Sequence, residues 1–373
     1  MQKMVHKIGL IINPVAGIGG RVGLKGSDGI EIVKKAVSMG GEPVSPARAK
    51  QTLSKLSSVK DELEIGTYSG EMGERVAREC GFNPTVLRRV YADKTSAEDT
   101  MNAAADLRNW GAELIIFAGG DGTARDIASS IDRSVPVIGI PAGVKIYSGV
   151  FAANPSNVAE IVFNFIRGET TYEDREVLDI DEEEFRNGVV RSRLYGYMSV
   201  PVVRGLIQQS KIGSRYEPST VRGVAFGVLN EMEEDEEAYY ILGPGTTVKA
   251  VADELHIEKT LLGVDICKKG ALVGKDLGER EIYSIINGHH AKIVVTPIGG
   301  QGYIFGRGNQ QLSPKIIKYV GRKNIIVVST MDKLLSLDGP LRVDTGDEEC
   351  DKLLKGYIKV ITGPRDFVIW EVV

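Results

Sequence analysis

The amino-acid sequence predicts an α/β protein, with an N-terminal, doubly wound, Rossmann-like domain followed by a second, β-rich domain. Short apolar runs rich in β-branched residues alternate with amphipathic helical stretches in the first part of the chain, as in parallel-sheet proteins. The 44 glycines among 373 residues exceed the usual level of about 7% and cluster after the apolar runs. Because the chain is long for one hydrophobic core, we expect two domains.

The first predicted strand, residues 7–14, is an almost continuous apolar run, as expected for a strand buried on both faces of a parallel sheet. A glycine-rich loop and a helix over residues 30–39 follow. Further strands are predicted at residues 63–68, 85–91, 114–117 and 135–141, and further helices at residues 71–80, from Thr95 to Gly111, and after residue 123. Thr95 and Glu98 have the spacing of a capping box.

Beyond residue 170 or so the pattern changes to shorter predicted strands, at residues 177–180, 194–203, 239–242 and 261–264, with an acidic helix at residues 224–237. Strand and helix patterns alternate again after Glu281. We therefore predict a nucleotide-phosphate domain over residues 1–150, a β-rich substrate domain over residues 151–330, and a C-terminal segment over residues 331–373. We leave open whether this last segment packs back on the first domain.

The most informative motif is the Gly-Gly-Asp-Gly-Thr turn between the strand at residues 114–117 and a helix. Its members are Gly119, Gly120, Asp121, Gly122 and Thr123. Glycines let a backbone approach a ligand closely, and a helix N-terminus favours phosphate. A carboxylate beside phosphate is repelled unless it holds a cation or accepts a proton from an acceptor hydroxyl, so the motif indicates phosphoryl transfer. The alternative, a tight turn with Asp121 as helix cap, explains one acid and one glycine only.

Other loops could bind phosphate through backbone amides or cations, although ordinary turns, helix caps and solvated side chains explain them too. The candidates are Asn13, Gly17, Gly19 and Gly20 after the first strand, Lys145 after residue 141, Gly245, Thr246 and Thr247 at a helix start, and Arg307 as a bidentate clamp. The first loop is no Rossmann fingerprint, because Val22 stands at the third glycine position, and the chain has no P-loop.

Composition argues against several other classes of protein. A net charge of −4 indicates no basic surface for nucleic acid, and no apolar run approaches the length of a membrane span. The three cysteines are far apart, which predicts neither a metal site nor a disulfide scaffold. The acidic run at residues 179–184 indicates a solvated helix start rather than metal ligands. The first residues lack the apolar core of a signal peptide, so we expect a cytoplasmic protein.

These motifs resemble the NAD kinase and diacylglycerol kinase superfamily, and more closely its ATP-NAD kinase-like, acetoin-catabolism protein X-like group. Segments at residues 140–152, 241–247, 260–265 and 299–311 carry the closer resemblance, which covers most of the chain. It implies a nucleotide site in a cleft between two domains. It also implies that Asp121 activates the acceptor hydroxyl, that the glycines around it and Thr123 bind phosphate, and that the Gly245 turn contacts a dinucleotide.

The resemblance implies a kinase that transfers a phosphoryl group from ATP or polyphosphate, with Mg²⁺, to the 2′-hydroxyl of NAD, giving NADP. A homo-oligomer is also implied, whereas the residues that hold Mg²⁺ are not. A polyol, lipid or sugar acceptor is an alternative, because Val248-Lys249-Ala250 stand where the family has a tyrosine. Asn230-Glu231 are the nearest candidates for the family's ribose-binding Asn-Glu pair. A nucleotide-sensing protein without turnover is a third possibility.

Overall fold

The computed structural model describes residues 5–24, 30–90, 95–131, 133–143, 146–180, 192–203, 206–207, 218–298, 301–337 and 339–373. The chain divides into two compact units. The first comprises Met1–Ile18, Gly26–Val37 and Glu42–Ser210, and the second Gly19–Lys25, Ser38–Gly41 and Lys211–Val373. The first unit runs beyond residue 150, because elements after that residue pack on the first sheet, and the predicted domain bounds stay a prediction.

The first unit is an α/β domain, as predicted. Its elements are β1 (His6–Ile12), α1 (Ile30–Ser38), α2 (Ser45–Leu56), β2 (Leu63–Tyr68), α3 (Glu74–Glu79), β3 (Thr85–Arg88), α4 (Ala97–Trp110), β4 (Leu114–Gly119), α5 (Asp121–Ala128), β5 (Val137–Pro141), α6 (Pro155–Ile166), β6 (Thr171–Ile180) and β7 (Ser192–Val202). Strands β1 to β5 form a parallel sheet in the order β3-β2-β1-β4-β5.

The apolar runs occupy the middle of this sheet. All six residues of β4 and the last five of β1 are buried, as expected for strands with helices on both faces. Ile8 pairs with Leu114 and Ile12 with Ala118, so β1 and β4 end together. The predicted cap of α4 was wrong by one residue. Ser96 caps this helix and forms the capping box with Asp99.

Strands β6 and β7 form a separate antiparallel hairpin in which Thr171 pairs with Val202 and Ile180 with Ser192. Both strands begin earlier than predicted, because only part of each strand is apolar. Val177, Met198 and Val200 are buried in the core of the first unit. This packing attaches the hairpin to the first unit.

The second unit is built on a seven-stranded sheet. Its elements are α7 (Pro218–Glu233), β8 (Tyr239–Leu242), α8 (Thr246–Glu254), β9 (Asp265–Lys268), β10 (Ala271–Gly274), α9 (Glu279–Ile286), β11 (Ala291–Val295), β12 (Tyr303–Phe305), α10 (Pro314–Val320), β13 (Ile325–Val328), α11 (Met331–Leu335), β14 (Arg342–Val343), α12 (Glu348–Leu354), β15 (Gly356–Ile361) and β16 (Phe367–Val372). The sheet order is β10-β9-β8-β11-β13-β15-β16.

Strands β8, β11, β13 and β15 of this sheet are parallel, and antiparallel strands complete it at both edges. The predicted strand at residues 261–264 was wrong, because the strand begins at Asp265. The C-terminal segment, for which a return to the first domain was open, supplies β15 and β16 of the second sheet. The predicted α/β fold with a second, β-rich domain is confirmed.

Candidate functional site

The sheet of the first unit has a topological switch point between β1 and β4. The chain passes from β1 to β2 and β3 on one side, and then to β4 and β5 on the other. Open α/β sheets bind ligands outside the carboxyl ends of the strands at such a point. Asn13 follows β1 and the Gly119–Thr123 turn ends β4, so both predicted loops begin at the switch point.

Hydrogen bonds and close packing hold the two loops together. The Asn13 Nδ2 atom donates to Thr123 Oγ1 at 3.0 Å, and Asn13 Oδ1 accepts from the backbone N–H of Val15 at 3.2 Å. A Cβ atom on Gly119 would overlap the Thr123 side chain, and one on Gly120 would lie 3.1 Å from the Cα of Gly143. A larger residue at Gly119 would therefore collide with Thr123, and one at Gly120 would require Gly143 to shift by a few tenths of an ångström.

Gly17 brings the first loop to the end of β5. It has a φ of +80°, in the left-handed region, and a Cβ atom would overlap the Ala142 carbonyl oxygen. The Ala142 N–H in turn donates to the Gly119 carbonyl at 2.9 Å. The structure thus brings together, at one sheet edge, Asn13, Gly17, Gly119, Gly120, Asp121, Gly122 and Thr123.

Asp121 is the first residue of α5, and its carboxylate is only 5% exposed. Oδ2 accepts the backbone N–H of Tyr147 at 2.6 Å, and Oδ1 accepts the backbone N–H of Ser148 at 3.0 Å. These amides come from the chain after β5, which is a third segment at the same sheet edge. Residue patterns could not predict these two donors, because nearly every residue type supplies a backbone N–H.

Burial raises the pKa of Asp121 to about 7, because desolvation disfavours the carboxylate. Contacts with Ser148 and the Tyr147 amide lower the pKa, and the negative charge of Asp179 raises it further. A carboxyl group with a pKa near neutrality can release and accept a proton under physiological conditions, as a general base must.

Asp179 stands in β6, and it is buried, so the predicted solvated helix start was wrong for this residue. Its Oδ2 accepts a hydrogen bond from Arg125 Nη1 at 2.6 Å, which links β6 to α5. The Ser148 hydroxyl connects the same strand to the loop at Asp121: it donates to the Leu178 carbonyl at 2.8 Å and accepts the Leu178 N–H at 3.0 Å. Residues 181–184 of the acidic run lie outside the described residues.

The structure places two other predicted phosphate ligands in the second unit and does not describe a third. Gly19 and Gly20 belong to the second unit, where a Cβ atom on Gly20 would lie 3.2 Å from Gln310 Cβ. Lys145 lies outside the described residues. Its predicted role in phosphate binding stays a prediction, as does that of the two glycines.

The Gly245–Thr247 turn lies in the second unit, where it leads from β8 into α8. Gly245 precedes the helix with a φ of +114°, and its N–H donates to the Leu261 carbonyl at 2.9 Å. A Cβ atom there would lie 2.9 Å from Thr296 Cγ2. The helix begins at this turn, as the sequence predicts. No side chain caps α8, so the first backbone N–H groups of the helix have no side-chain acceptor.

Arg307, the predicted phosphate clamp, has a partner within the protein. Its Nε atom lies 3.3 Å from Asp344 Oδ2, both side chains are buried, and its guanidinium stacks on the Tyr303 ring at 4.7 Å. This arrangement supports a structural role, so we leave Arg307 out of the proposed ligand-binding set.

A buried ion pair that the sequence reading missed stabilises the loop next to the Gly245 turn. Lys259 Nζ lies 3.2 Å from Asp265 Oδ2, and neither side chain is exposed. The Asp265 carboxylate also accepts the backbone N–H groups of Thr260 at 3.0 Å and Asp276 at 2.7 Å. Burial lowers the pKa of Lys259, while Asp265 opposes that shift. An acid at a strand start gives no local signal of this role.

The described residues lack two features that would indicate other classes of protein. No group of three or more His, Cys, Asp or Glu side chains among them could hold a metal ion. Within the same part of the chain, none of the helices has the length and apolar character needed to cross a membrane.

A doubly wound domain with a glycine-rich, acid-containing turn at its switch point defines a nucleotide-phosphate-binding α/β protein. Residues 8–170 match the ATP-NAD kinase N-terminal domain, and residues 235–372 match the ATP-NAD kinase C-terminal domain. Together these matches cover most of the chain, which therefore belongs to the ATP-NAD kinase family. The predicted family is confirmed, as is a phosphotransferase that acts on a hydroxyl group.

No curated protein matches the chain. Among solved structures, a crystal structure of UDP-N-acetylglucosamine 2-epimerase is similar at 10% identity, with 94% of this chain and 86% of that chain covered. Its TM-score of 0.26 is too low to support any argument about fold or function.

Proposed function

We propose that this kinase transfers the terminal phosphoryl group of ATP, or of polyphosphate, to the 2′-hydroxyl of NAD and so forms NADP. The observation that carries the proposal is the buried Asp121 carboxyl group, with a pKa of about 7, at the N-terminus of α5 beside the glycine turn. The family supports NAD as the acceptor, and Asp121 supports the reaction type.

In the proposed reaction, the hydroxyl oxygen of the acceptor attacks the terminal phosphorus atom of the donor. A new P–O bond forms, the bond to the bridging oxygen breaks, and ADP or the shortened polyphosphate leaves with the electron pair. Asp121 accepts the hydroxyl proton. A positioned base of this kind contributes about 10²- to 10⁴-fold to the rate.

Backbone amides and the start of α5 are the proposed phosphate ligands of the first unit, because positioning and charge neutralisation dominate phosphoryl transfer. The residues proposed for this role are Asn13, Gly17, Gly119, Gly120, Gly122 and Thr123. In the second unit, we assign the Gly245–Thr247 turn to contact with the nucleotide ligand.

Mg²⁺ enters the proposal as part of the Mg–ATP substrate. The described residues contain no all-protein metal cluster. Mg²⁺ is commonly held by substrate phosphates together with one or two carboxylates and water. We therefore propose that the ion arrives bound to the phosphates of the nucleotide. The predicted cytoplasmic location and homo-oligomer belong to the same proposal.

A second candidate is a kinase for another hydroxyl acceptor, such as a polyol, lipid or sugar. The structure gives Asn230 and Glu231, the nearest candidates for the ribose-binding pair, internal partners. Asn230 Nδ2 donates to the Pro364 carbonyl at 2.8 Å, and Glu231 pairs with Lys359 at 2.8 Å. Neither residue is therefore assigned to the ribose of NAD.

Steady-state assays of ADP release and product analysis test the proposal. The protein is supplied with Mg²⁺, ATP or polyphosphate, and either NAD, NADH or a panel of polyols, sugars and lipids. We expect NADP from NAD. Turnover of a panel member without turnover of NAD would establish the second candidate, and a rise in Tm with ATP or NAD without any product would indicate a nucleotide sensor.

A further inference from the structure

The seven-stranded sheet of the second unit has two edges that differ in their protection against pairing with another chain. At one edge, β10 has four residues, and a bulge between Leu272 and Gly274 interrupts its pairing with β9. At the other edge, β16 has six residues that pair with β15 in six consecutive steps. Short or bulged edge strands discourage an added strand, whereas a flat, apolar edge favours one. The edge at β16 is therefore the one suited to a partner.

Leu341 covers the second half of the outer side of β16. The Glu371 carbonyl accepts the Leu341 N–H at 2.9 Å, and the Val373 N–H donates to the Leu341 carbonyl at 3.0 Å. Alternate residues of a strand direct their N–H and C=O groups to the same side. Phe367 and Ile369 therefore direct their backbone groups to the outer side as well, in the half of the strand that precedes the contact with Leu341.

The side chains of this first half are apolar and exposed. Phe367 is 54% and Ile369 58% exposed, and both lie on the same face of the sheet because they are two residues apart in one strand. Ile369 also lines a groove beside the edge, together with Pro340 and with Leu335, which is 68% exposed. Contiguous exposed apolar surface of this kind marks a site of protein association.

A second copy of the same strand fits this half of β16. If the copy runs antiparallel with a two-fold axis at Val368, Phe367 lies opposite Ile369 of the copy, and Ile369 lies opposite Phe367 of the copy. Each pair can exchange two N–H···O=C hydrogen bonds, because both residues direct their backbone groups outward. An aromatic residue opposite a β-branched one is a favourable cross-strand pair. The strand is thus complementary to itself, as a symmetric dimer interface requires.

The charges that flank the apolar pair also match in this register. The axis at Val368 sets Arg365 opposite Glu371 of the copy, and both residues are exposed. Opposite charges directly across a strand pair are stabilising. Moving the axis to Ile369 would instead direct the copy to the part of the edge that Leu341 covers. The charges and the backbone therefore favour the same register.

We propose that the protein forms a two-fold symmetric dimer in which the β16 strands of two copies pair antiparallel about Val368. This pairing joins the two seven-stranded sheets into one. The inference goes beyond the proposed reaction and gives the proposed homo-oligomer a surface. Because it rests on the second unit alone, its test needs no turnover.

The first test is sedimentation velocity of the full chain over a wide range of concentration. We expect the wild type to form a concentration-dependent dimer. Ile369→Lys places two ammonium groups in the interface and should weaken dimerisation at least about 100-fold, since every loss counts twice in a symmetric interface. Val273→Lys, which replaces an exposed apolar residue of the other edge strand, is the matched control and should dimerise like the wild type.

A charge exchange tests the register of the two strands. Arg365→Glu and Glu371→Arg each set like charges opposite one another, and each should weaken dimerisation about 2- to 30-fold. The double variant restores opposite charges in both pairs and should recover most of the affinity. Failure of the double variant to recover any affinity would contradict this register.

Disulfide cross-linking tests the position of the axis, in a Cys80→Ala background whose two remaining cysteines are buried. Val368→Cys should form an intermolecular disulfide under mild oxidation by diamide. The two copies of residue 368 form a non-hydrogen-bonded pair with about 4.5 Å between Cα atoms, a distance that a disulfide spans. Ile369→Cys is the matched control and should not cross-link, because its two copies are diagonal neighbours about 7–8 Å apart.

A wild type that stays monomeric, a dimer that Ile369→Lys does not weaken, or cross-linking of Ile369→Cys but not of Val368→Cys would each overturn the proposal. If Ile369→Lys does not fold, as judged by circular dichroism, the exposed-charge variants Arg365→Glu and Glu371→Arg provide the same comparison. NADP formation by a monomeric wild type would refute this inference alone. A dimer that depends on β16 but forms no NADP would refute the proposed function alone.

Discussion

Replacing Ser148 with alanine tests how the protein sets the pKa of Asp121. The hydroxyl of this fully buried residue connects the loop to Leu178, and contact with the Ser148 side chain is the largest influence that lowers the Asp121 pKa. The backbone N–H of residue 148, which donates to Asp121 Oδ1, is retained in the variant. The substitution therefore removes the side-chain contact with Asp121 together with the two hydrogen bonds to Leu178, and it retains the backbone donor to Asp121.

The expected shift follows from the strength of one contact. A hydrogen bond to a charged group contributes about 1.5–3 kcal/mol, and one pKa unit corresponds to about 1.4 kcal/mol. Because the amide is retained, we take the lower limit and expect the pKa of Asp121 to rise by about one unit above its wild-type value of about 7. At pH 7 the ionised fraction should then fall from about one half to about one tenth.

The assay is the pH profile of kcat/KM for the acceptor between pH 5.5 and 9.5, which reports the pKa values of the free enzyme. The acid limb should have its midpoint near pH 7 in the wild type and near pH 8 in Ser148→Ala, with similar rates at pH 9.5. Ser129→Ala, which removes an exposed hydroxyl directly after α5, should retain the wild-type profile. A midpoint that does not move, or a rate lowered equally at every pH, would refute the reasoning.

Three further predictions concern stability. Gly119→Ala forces a methyl group into the buried threonine of the motif and should cost about 1–3 kcal/mol in urea unfolding, whereas Gly149→Ala, with no contact closer than 3.5 Å, should cost much less. Lys259→Met leaves the Asp265 carboxylate buried without its cation and should cost about 3–5 kcal/mol, and adding Asp265→Asn should restore part of that loss. Since the folded-state pKa of Asp121 is raised to about 7, its contribution to stability is complete below its ordinary pKa and is lost as the pH rises through 7. The wild-type Tm should therefore fall more than that of Asp121→Asn between pH 4 and pH 8, and parallel curves would contradict this.

The part of the site that is formed by residues adjacent in sequence could be predicted. The apolar run of β4 and the glycine turn after it are adjacent in sequence, and both lie where a strand–turn–helix unit requires. The amides of Tyr147 and Ser148 could not be predicted, because backbone donors carry no residue signature. The prediction for Asp179 was wrong because this residue pairs with Arg125, which is distant in sequence. The run of acids around Asp179 therefore carries no local sign that one of them is buried.

The second unit shows the same limit. The helix start at Gly245–Thr247 was predicted from its residues, whereas the place of β16 at the edge of the sheet depends on strands that become neighbours only in the folded chain. Arg307 was predicted as a phosphate clamp from its glycine-rich surroundings; the fold pairs it with Asp344, and the predicted role stays a prediction.

The most direct test of the central claim is the turnover of Asp121→Asn with ATP, Mg²⁺ and NAD, or with the acceptor that the panel identifies. Asparagine retains the size of the side chain and one acceptor oxygen but cannot take the hydroxyl proton. The account predicts that kcat falls at least about 100-fold while the Kd values for ATP and the acceptor stay within a fewfold of the wild type. Near-normal turnover in this variant would contradict the role of Asp121 as the base.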